Sequence, residues 1–479
     1  MAIFLGSIYA ELPICGLPLG SYGQPLRNAP SRFPAGRRPV RKLRVRQPCH
    51  LPQTVLRLLF FCRRLCYNSP IEDMDKEDHP MRVLAAMLAA WMLVALSACS
   101  QPQDQPDPQP EPDIQEEPVQ PDPPPPSPEE LAAAQIEELL SSLTLEEQVG
   151  QLFFVRCPAD QALEDITTYH LGGYVLFTRD YQDDSGTWLT KEQFVQTLSD
   201  YQSAALADTG IPLLIGSDEE GGTVTRASRN PNLFDTLFRS PQKIAAQASD
   251  AGDAWAEEAW EKNSALLALG INVNLAPVAD VSTSAQDFIY DRTCGLDAQG
   301  TADYVTSVVT AMKDCGIGSV LKHFPGYGNN VDTHTGIAVD QRSLDSFRES
   351  DFVPFSAGIA AGDGTTAVLV SHNIMTAVDD TLPASLSPAV HDLLRTELSF
   401  DGVAMTDDLA MEAVASYAQD GAVAVLALQA GNDLIITTDY RTQIPQVLQA
   451  VEDGTLSPEI IETACRRVLT WKQALGLLE

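Results

Sequence analysis

The sequence predicts an α/β chain: a single (β/α)8 TIM-type barrel, preceded by a signal peptide and a disordered Pro-rich linker. Three observations carry this. Eight short apolar runs suited to buried strands recur after residue 150, helical segments lie between most of them, and charged residues stand at the C-terminal ends of several runs. Repeated alternation of strand and helix argues for a parallel sheet, and eight repeats close naturally into a barrel. A doubly wound open sheet is the alternative, but no Gly-rich phosphate turn follows the first strand.

The runs are QLFFV (151–155), GYVLF (173–177), PLLIGSD (212–218), INVNLAPVAD (271–280), GSVLKHF (318–324), AVLVSH (367–372), GVAMTDD (402–408) and DLIITT (433–438). Segments such as TADYVTSVVTAMKDCG and DGAVAVLALQAG carry helical patterning between them. Asp218, Asp280, Lys322, His323, His372 and Asp407 all fall at run ends. Barrel enzymes build their sites at that end of the strands. The stretch KHFPGYGNNVDTHTG (322–336) concentrates titratable groups most densely, around a Pro-Gly-Tyr-Gly turn at the end of a buried run.

The barrel occupies residues 129 to 479, and roughly 350 residues is ample for one large core. Ser127-Pro128-Glu129-Glu130 reads as its first helix start, with an N-cap, proline at the first helical position and an acidic first turn. One closing helix, capped at Ser457-Pro458, is expected after the eighth run. Residues 99 to 128 form a linker, with 12 prolines in the 29 positions after Cys99. At about 3.1 Å per residue it reaches on the order of 90 Å.

Upstream, Arg82 precedes 16 uncharged, mostly apolar residues that end at Cys99, so residues 81 to 98 read as a signal peptide. The stretch is short for a membrane span of about 20 residues. Leu96-Ser97-Ala98-Cys99 resembles the lipobox of bacterial lipoproteins, whose cysteine is lipidated and becomes the mature N-terminus. The resemblance implies an extracytoplasmic protein, lipid-anchored to the outer face of a bacterial cell membrane. Residues 1 to 80, rich in Pro and Arg without a steady period, are expected to be a non-native or disordered leader, with the native start at Met74 or Met81.

Charge divides the same way. Of 31 Lys+Arg and 65 Asp+Glu, 13 and 6 lie in residues 1–98, leaving 18 and 59 beyond. So acidic a surface repels nucleic acid and favours solubility. The nine cysteines match no metal-site spacing, and no metal or cofactor is expected.

Four stretches resemble glycoside hydrolase family 3, in its bacterial β-N-acetylglucosaminidase (β-N-acetylhexosaminidase) branch. KHFPGYGNNVDTH is similar to the K-H-F-P-G-H-G…D-S-H signature, and DEEGGTVTR (218–226) to D-Q-E-G-G-R-V-x-R. NLAPVADV…YDRTCG (274–295) is similar to F-x-P-V-x-D-V…D-R-x-F-G, and GVAMTDDLAM (402–411) to G-V-x-x-S-D-D-L-x-M. The four motifs stand in the family's order across residues 140 to 479.

The resemblance implies a retaining, exo-acting β-N-acetylhexosaminidase acting on peptidoglycan fragments or chitooligosaccharides. Asp407 matches the nucleophile, a carboxylate able to form a glycosyl ester and later leave from it. Asp408 is read as structural, its side chain pointing the other way. Asp332-Thr333-His334 matches the D-x-H acid/base dyad. A histidine titrating at about 6.5 gives and takes protons near neutrality, and Asp332 orients it. The Gly326–Asn330 turn is expected to let the loop carry His334 over the barrel mouth.

Lys322, His323, Asp218, Arg226 and Arg292 match sugar-binding positions, with a structural salt bridge open for the two arginines. Asp280 and His372 are expected as support, and Glu220 as part of a turn's backbone geometry. Tyr327 replaces the family's second histidine, Thr333 a serine and Thr223 an arginine, and the loop between Gly328 and Asp332 is one residue short. A β-N-acetylglucosaminide phosphorylase on the same residues and a non-catalytic sugar-binding lipoprotein are the other readings. A β-glucosidase lacks support, because no second domain is expected after the closing helix.

Overall fold

The computed structural model describes residues 125–330, 336–415, 417 and 423–478. The proposed leader, signal peptide, Cys99 and most of the linker lie outside the described residues, as do Asp332 and His334.

Seven parallel strands follow one another around the core: β1 (Phe154–Arg156), β2 (Gly173–Leu176), β3 (Leu214–Ser217), β4 (Val273–Asn274), β5 (Gly318–Phe324), β7 (Thr366–Val370) and β9 (Ala404–Thr406). The register runs through Phe154↔Gly173, Gly173↔Leu214, Gly216↔Val273, Val273↔Gly318, Ser319↔Thr366 and Val368↔Ala404. The eighth expected run is not a full strand. Leu434 and Ile435 nevertheless bridge Met405 on one side and Phe153 on the other, both in parallel, and so close the ring. The Ile435 amide donates to the Leu152 carbonyl at 2.7 Å, and the Phe154 amide donates back to Ile435 at 2.9 Å.

Every residue of β5 is buried, and the barrel interior is packed accordingly. The Phe154 ring lies within 2.4 Å of where a Cβ on Gly216 would stand, so glycine there makes room for it. Two further short strands, β6 (Val339–Asp340) and β8 (Ile374–Met375), pair in parallel as a separate ribbon. They join the segment after β5 to the segment after β7, both of which leave the C-terminal end of the barrel.

The expected capping signal at Ser127 is present: the Glu130 amide donates to the Ser127 hydroxyl and the Glu130 carboxylate accepts from the Ser127 amide, starting the helix Pro128–Ser142. After the eighth run the chain makes two helices, Tyr440–Glu452 and Pro458–Ala474, where one was expected. The first was hidden by Pro445 in its interior, a residue usually read as a breaker.

The last helix seals the N-terminal end of the barrel. Trp471 and Leu475 reach the start of β5 at Gly318, and the Trp471 indole donates to the Thr365 carbonyl at 3.0 Å. Beside them Lys472 is fully buried, with the Gln151 side-chain oxygen at 2.7 Å as its one hydrogen-bond partner among the described residues. Burial drives its ammonium down to about 7, against a smaller opposing effect of Cys465. An unfolded lysine titrates at about 10.4, so above neutrality the unfolded chain holds more protons than the folded one and stability from this site rises with pH. Comparison of wild type with Lys472→Met by urea denaturation tests this. The stability difference should shift toward wild type by up to about 1.4 kcal/mol per pH unit between pH 7 and 8.5. Parallel stability–pH curves would show that Lys472 stays charged in the fold.

Candidate active site

The C-terminal ends of the strands surround a cavity of about 410 Å³. Asp218, Arg226, Arg292, Lys322, His323 and Asp407 all line it, so the described residues singled out in the sequence converge. Each is set there by the strand it follows. Asp218 comes directly after β3, Lys322 and His323 are the end of β5, and Asp407 comes directly after β9. Arg292 arrives on the long segment after β4, from a one-turn helix at Tyr290–Arg292.

Glu220 organises the cations. Its carboxylate is buried and accepts two bonds from Arg292, at 3.0 and 2.7 Å, and makes an ion pair with Lys322 at 2.7 Å. Burial by itself would raise this carboxyl, but the Arg292 guanidinium and the Lys322 ammonium outweigh it and hold it well below the usual carboxylate range. The reading of Glu220 as turn geometry is therefore corrected: it is the counter-ion of the site. The sequence signal was present, an acid two residues beyond Asp218, but its direction could not be read from a non-extended segment.

Lys322 also donates to Asp218 at 2.7 Å. Burial lowers its ammonium, and the two carboxylates more than restore it, so the charge is kept. Two of its three N–H donors are thereby used, and the third has no acceptor among the described residues in the cavity that Lys322 lines. Arg226 lies 3.9 Å from Asp218, a weaker pair. The salt-bridge reading thus holds firmly for Arg292, which also lines the cavity, and loosely for Arg226.

His323 is fixed from both sides. Nδ1 lies 2.7 Å from Asp280 and Nε2 lies 3.1 Å from the Arg292 guanidinium. Since the guanidinium can only donate, Nε2 accepts and Nδ1–H faces Asp280. The buried Asp280 carboxylate also accepts the backbone amides of His323 and Tyr327, at 3.1 and 2.7 Å. The Tyr327 ring, where the resembled family has a histidine, is buried edge-on against His323 with centroids 5.2 Å apart.

Asp407 continues the β9 ladder, its amide donating to the Val370 carbonyl at 3.0 Å, and its carboxylate accepts the Asp408 amide at 2.9 Å. Asp408 was expected to point away. Strand alternation stops with β9 at Thr406, and both aspartates line the cavity. The Asp408 oxygens accept from the Ala410 amide at 2.9 Å and the Thr438 hydroxyl at 3.1 Å, and burial raises its carboxyl. His372 supports this turn, Nε2–H donating to the Asp408 carbonyl at 3.1 Å while Nδ1 meets the Ser385 hydroxyl at 2.8 Å.

The segment after β5 is held by a second ionic group. Arg342 bonds Asp340 and Asp351, and donates to the Gly326 carbonyl at 3.2 Å. Asn330 donates to Asp340 at 2.6 Å. A Cβ at Gly326, where φ is +122°, would meet the Asp351 carboxylate, so glycine is required there by both space and backbone. Arg156 and Phe177 are among the lining residues missed in the sequence. Arg156 ends β1, one position beyond the QLFFV run, and Phe177 follows β2; the Arg156 guanidinium sits 4.4 Å from the Phe177 ring centre. Among the described residues no group of His, Cys, Asp and Glu is placed to hold a metal ion.

A closed parallel barrel whose strand ends gather two cavity-lining cations, their carboxylate counter-ions and a further cavity-lining carboxylate is of the barrel-enzyme class. The comparisons with known proteins name the family. Residues 144–471 match the model of the glycosyl hydrolase family 3 N terminal domain. The chain belongs to that family and is a glycoside hydrolase.

A Beta-hexosaminidase from Stenotrophomonas maltophilia is 35% identical over 303 residues, covering 61% of this chain and 85% of that protein. A family 3 beta-N-acetylglucosaminidase from Paenibacillus sp. is similar in structure, with a TM-score of 0.63 and 32% identity, over 70% of this chain; this chain spans 63% of that one. A Beta-N-acetylhexosaminidase from Beutenbergia cavernae gives a TM-score of 0.60 and 30% identity, over 69% of this chain and 99% of that one.

Replacing Glu220 with alanine leaves Arg292 without its carboxylate and the buried Lys322 with Asp218 alone, and should destabilise the barrel by about 3–5 kcal/mol, measured by urea denaturation near neutral pH. Because the folded carboxyl lies below its unfolded value, its contribution is complete above the ordinary carboxylate range and is lost only as pH falls through the folded value. A loss below about 1 kcal/mol would mean that Lys322 and Arg292 are balanced by other groups.

Proposed function

We propose that the protein is a retaining, exo-acting β-N-acetylhexosaminidase that removes terminal β-linked N-acetylglucosamine from peptidoglycan fragments or chitooligosaccharides. The observation that carries this reading is the single cavity that Asp407 shares with Asp218, Arg226, Arg292, Lys322 and His323. In this reading the cations and Asp218 hold the hydroxyl groups of one sugar, and Asp407 attacks its anomeric carbon to form a glycosyl ester. Both catalytic steps also need a proton donor and acceptor. The sequence match assigns this to His334, oriented by Asp332, both outside the described residues.

The names of the relatives support the substrate class: they are called Beta-hexosaminidase or beta-N-acetylglucosaminidase. The address is part of the same proposal. Arg82, the apolar stretch after it and Cys99 fit a lipid-anchored protein outside the cytoplasm, tethered by the Pro-rich linker. A Cys99→Ser variant should leave the membrane fraction or stay unprocessed, and the mass of the mature native protein should begin at Cys99. A mature mass that includes residues 1–80 would reject the address.

Asp407→Ala should abolish turnover of an aryl N-acetyl-β-glucosaminide while the thermal transition persists. Added azide should restore some activity and yield the α-azide, since it fills the space of the missing carboxylate; a β-azide product would assign Asp407 another role.

His334→Ala separates acid/base work from folding. Poor leaving groups should lose about 10²–10⁴-fold in kcat/KM, and glycosyl-enzyme formation from activated aryl groups should lose far less. Asp332→Asn should give a milder version of the same pattern. Uniform losses across leaving groups would place the acid on another residue.

A further inference from the structure

Among the described residues Arg156 is the cation of the site with no carboxylate at ion-pair distance; Arg226, whose Nε is likewise buried without a hydrogen-bond partner and which also lies over Phe177, keeps Asp218 at 3.9 Å. Lys322 and Arg292 are matched by Asp218 and Glu220, at hydrogen-bond distance. The Arg156 guanidinium instead stacks on Phe177, and its Nε is buried with no hydrogen-bond partner. A guanidinium N–H removed from water without an acceptor is costly, which makes it a candidate for a bond completed by a ligand.

Its position says which part of a ligand. Arg156 lines the cavity that holds Asp407, and it also lines a second cavity of about 410 Å³. This neighbour is walled by Cys157, Pro158, Arg179, Thr438 and Arg441. Its other two guanidiniums arrive balanced: Arg179 pairs with Asp180 and Arg441 with Asp165. Asp160 and Asp439 also line it; Asp160 is largely exposed and lies 3.5 Å from Arg441, while Asp439 accepts from the Thr442 hydroxyl at 2.8 Å. Arg156 is therefore the one cation of this wall, among the described residues, with no carboxylate at ion-pair distance, Asp180 acting on it only from further away, and it lines both spaces.

We propose that the second cavity receives the leaving-group portion of the substrate and that Arg156 reads an oxyanion, a carboxylate or a phosphate, carried on it. This rests on the glycosidase reading above, with the cleaved sugar in the Asp407 cavity. A planar guanidinium with its Nε and an adjacent N–H presented together matches the two oxygens of a carboxylate or phosphate. The Phe177 ring fixes the plane of that fork, so little motion is lost when the anion binds.

The test is a ratio. Aryl N-acetyl-β-glucosaminides are prepared in neutral, carboxylated and phosphorylated forms with leaving groups of matched acidity, and kcat/KM is measured for wild type, Arg156→Gln and Arg156→Lys. Wild type should prefer at least one anionic form over the neutral one by about tenfold or more, the usual worth of a charge-assisted bond. Arg156→Gln should bring that ratio close to one, and Arg156→Lys should retain part of it; whichever anion carries the preference identifies the source.

A ratio that survives in Arg156→Gln, or no anionic preference in wild type, overturns the proposal, and equal losses on all three substrates reduce Arg156 to a structural role. Failure of the glycosidase reading is distinguished by calorimetry. Binding of the anionic glycosides to Asp407→Ala, with and without Arg156→Gln, needs no turnover, and an Arg156-independent affinity there also overturns the proposal.

Discussion

Glu220 is shared between Lys322 and Arg292, and the upper part of the barrel depends on that sharing. Two cations cannot be placed where water is scarce unless carboxylates accompany them, because an unpaired buried charge costs far more than a hydrogen bond returns. The pairing sets the positions of three separate chain segments: the turn after β3, the long segment after β4 and the end of β5. His323 is then locked between Arg292 and Asp280, so its hydrogen bond to Asp280 is coupled to the ionic group. The cavity is shaped by charges that satisfy one another, and a ligand meets the donors left over.

Much of this arrangement is legible in the sequence, for a definite reason. A strand that ends in a charged residue at the C-terminal mouth of a barrel leaves that side chain one direction to face, as Asp218, Lys322 and Asp407 do. What escaped lies where the chain is not extended. Glu220 is three residues past the end of β3, on a turn whose glycines have positive φ, and alternation no longer predicts its direction. Asp408 failed for the same reason, one residue past Asp407. Arg156 escaped because its run looked complete at Val155, so the residue following it received no attention.

The fold was legible to a similar depth. Eight apolar runs marked eight positions in the ring, yet the seventh interval contains no clean ladder, since residues 433–438 join their neighbours through isolated bridges. Apolar content says that a segment is buried, and does not say how many hydrogen bonds it shares. The ribbon of β6 and β8, only two residues on each side, falls below what patterning detects. It nevertheless holds the segment after β5 beside the one after β7, together with the ionic group centred on Arg342.

The closure at Leu434 and Ile435 has a consequence for how the molecule comes into being. Phe153 and Met405, the residues this pair joins, are separated by about 250 positions of chain. Until residue 435 has emerged from the ribosome, the growing sheet has two open edges, at β1 and β9, each offering unpaired backbone groups to any passing strand. The cavity wall carried by β1 cannot take its place beside the wall carried by β9 before that moment. Assembly of the mouth is therefore a late event in synthesis, completed by a stretch of chain that lines little of it.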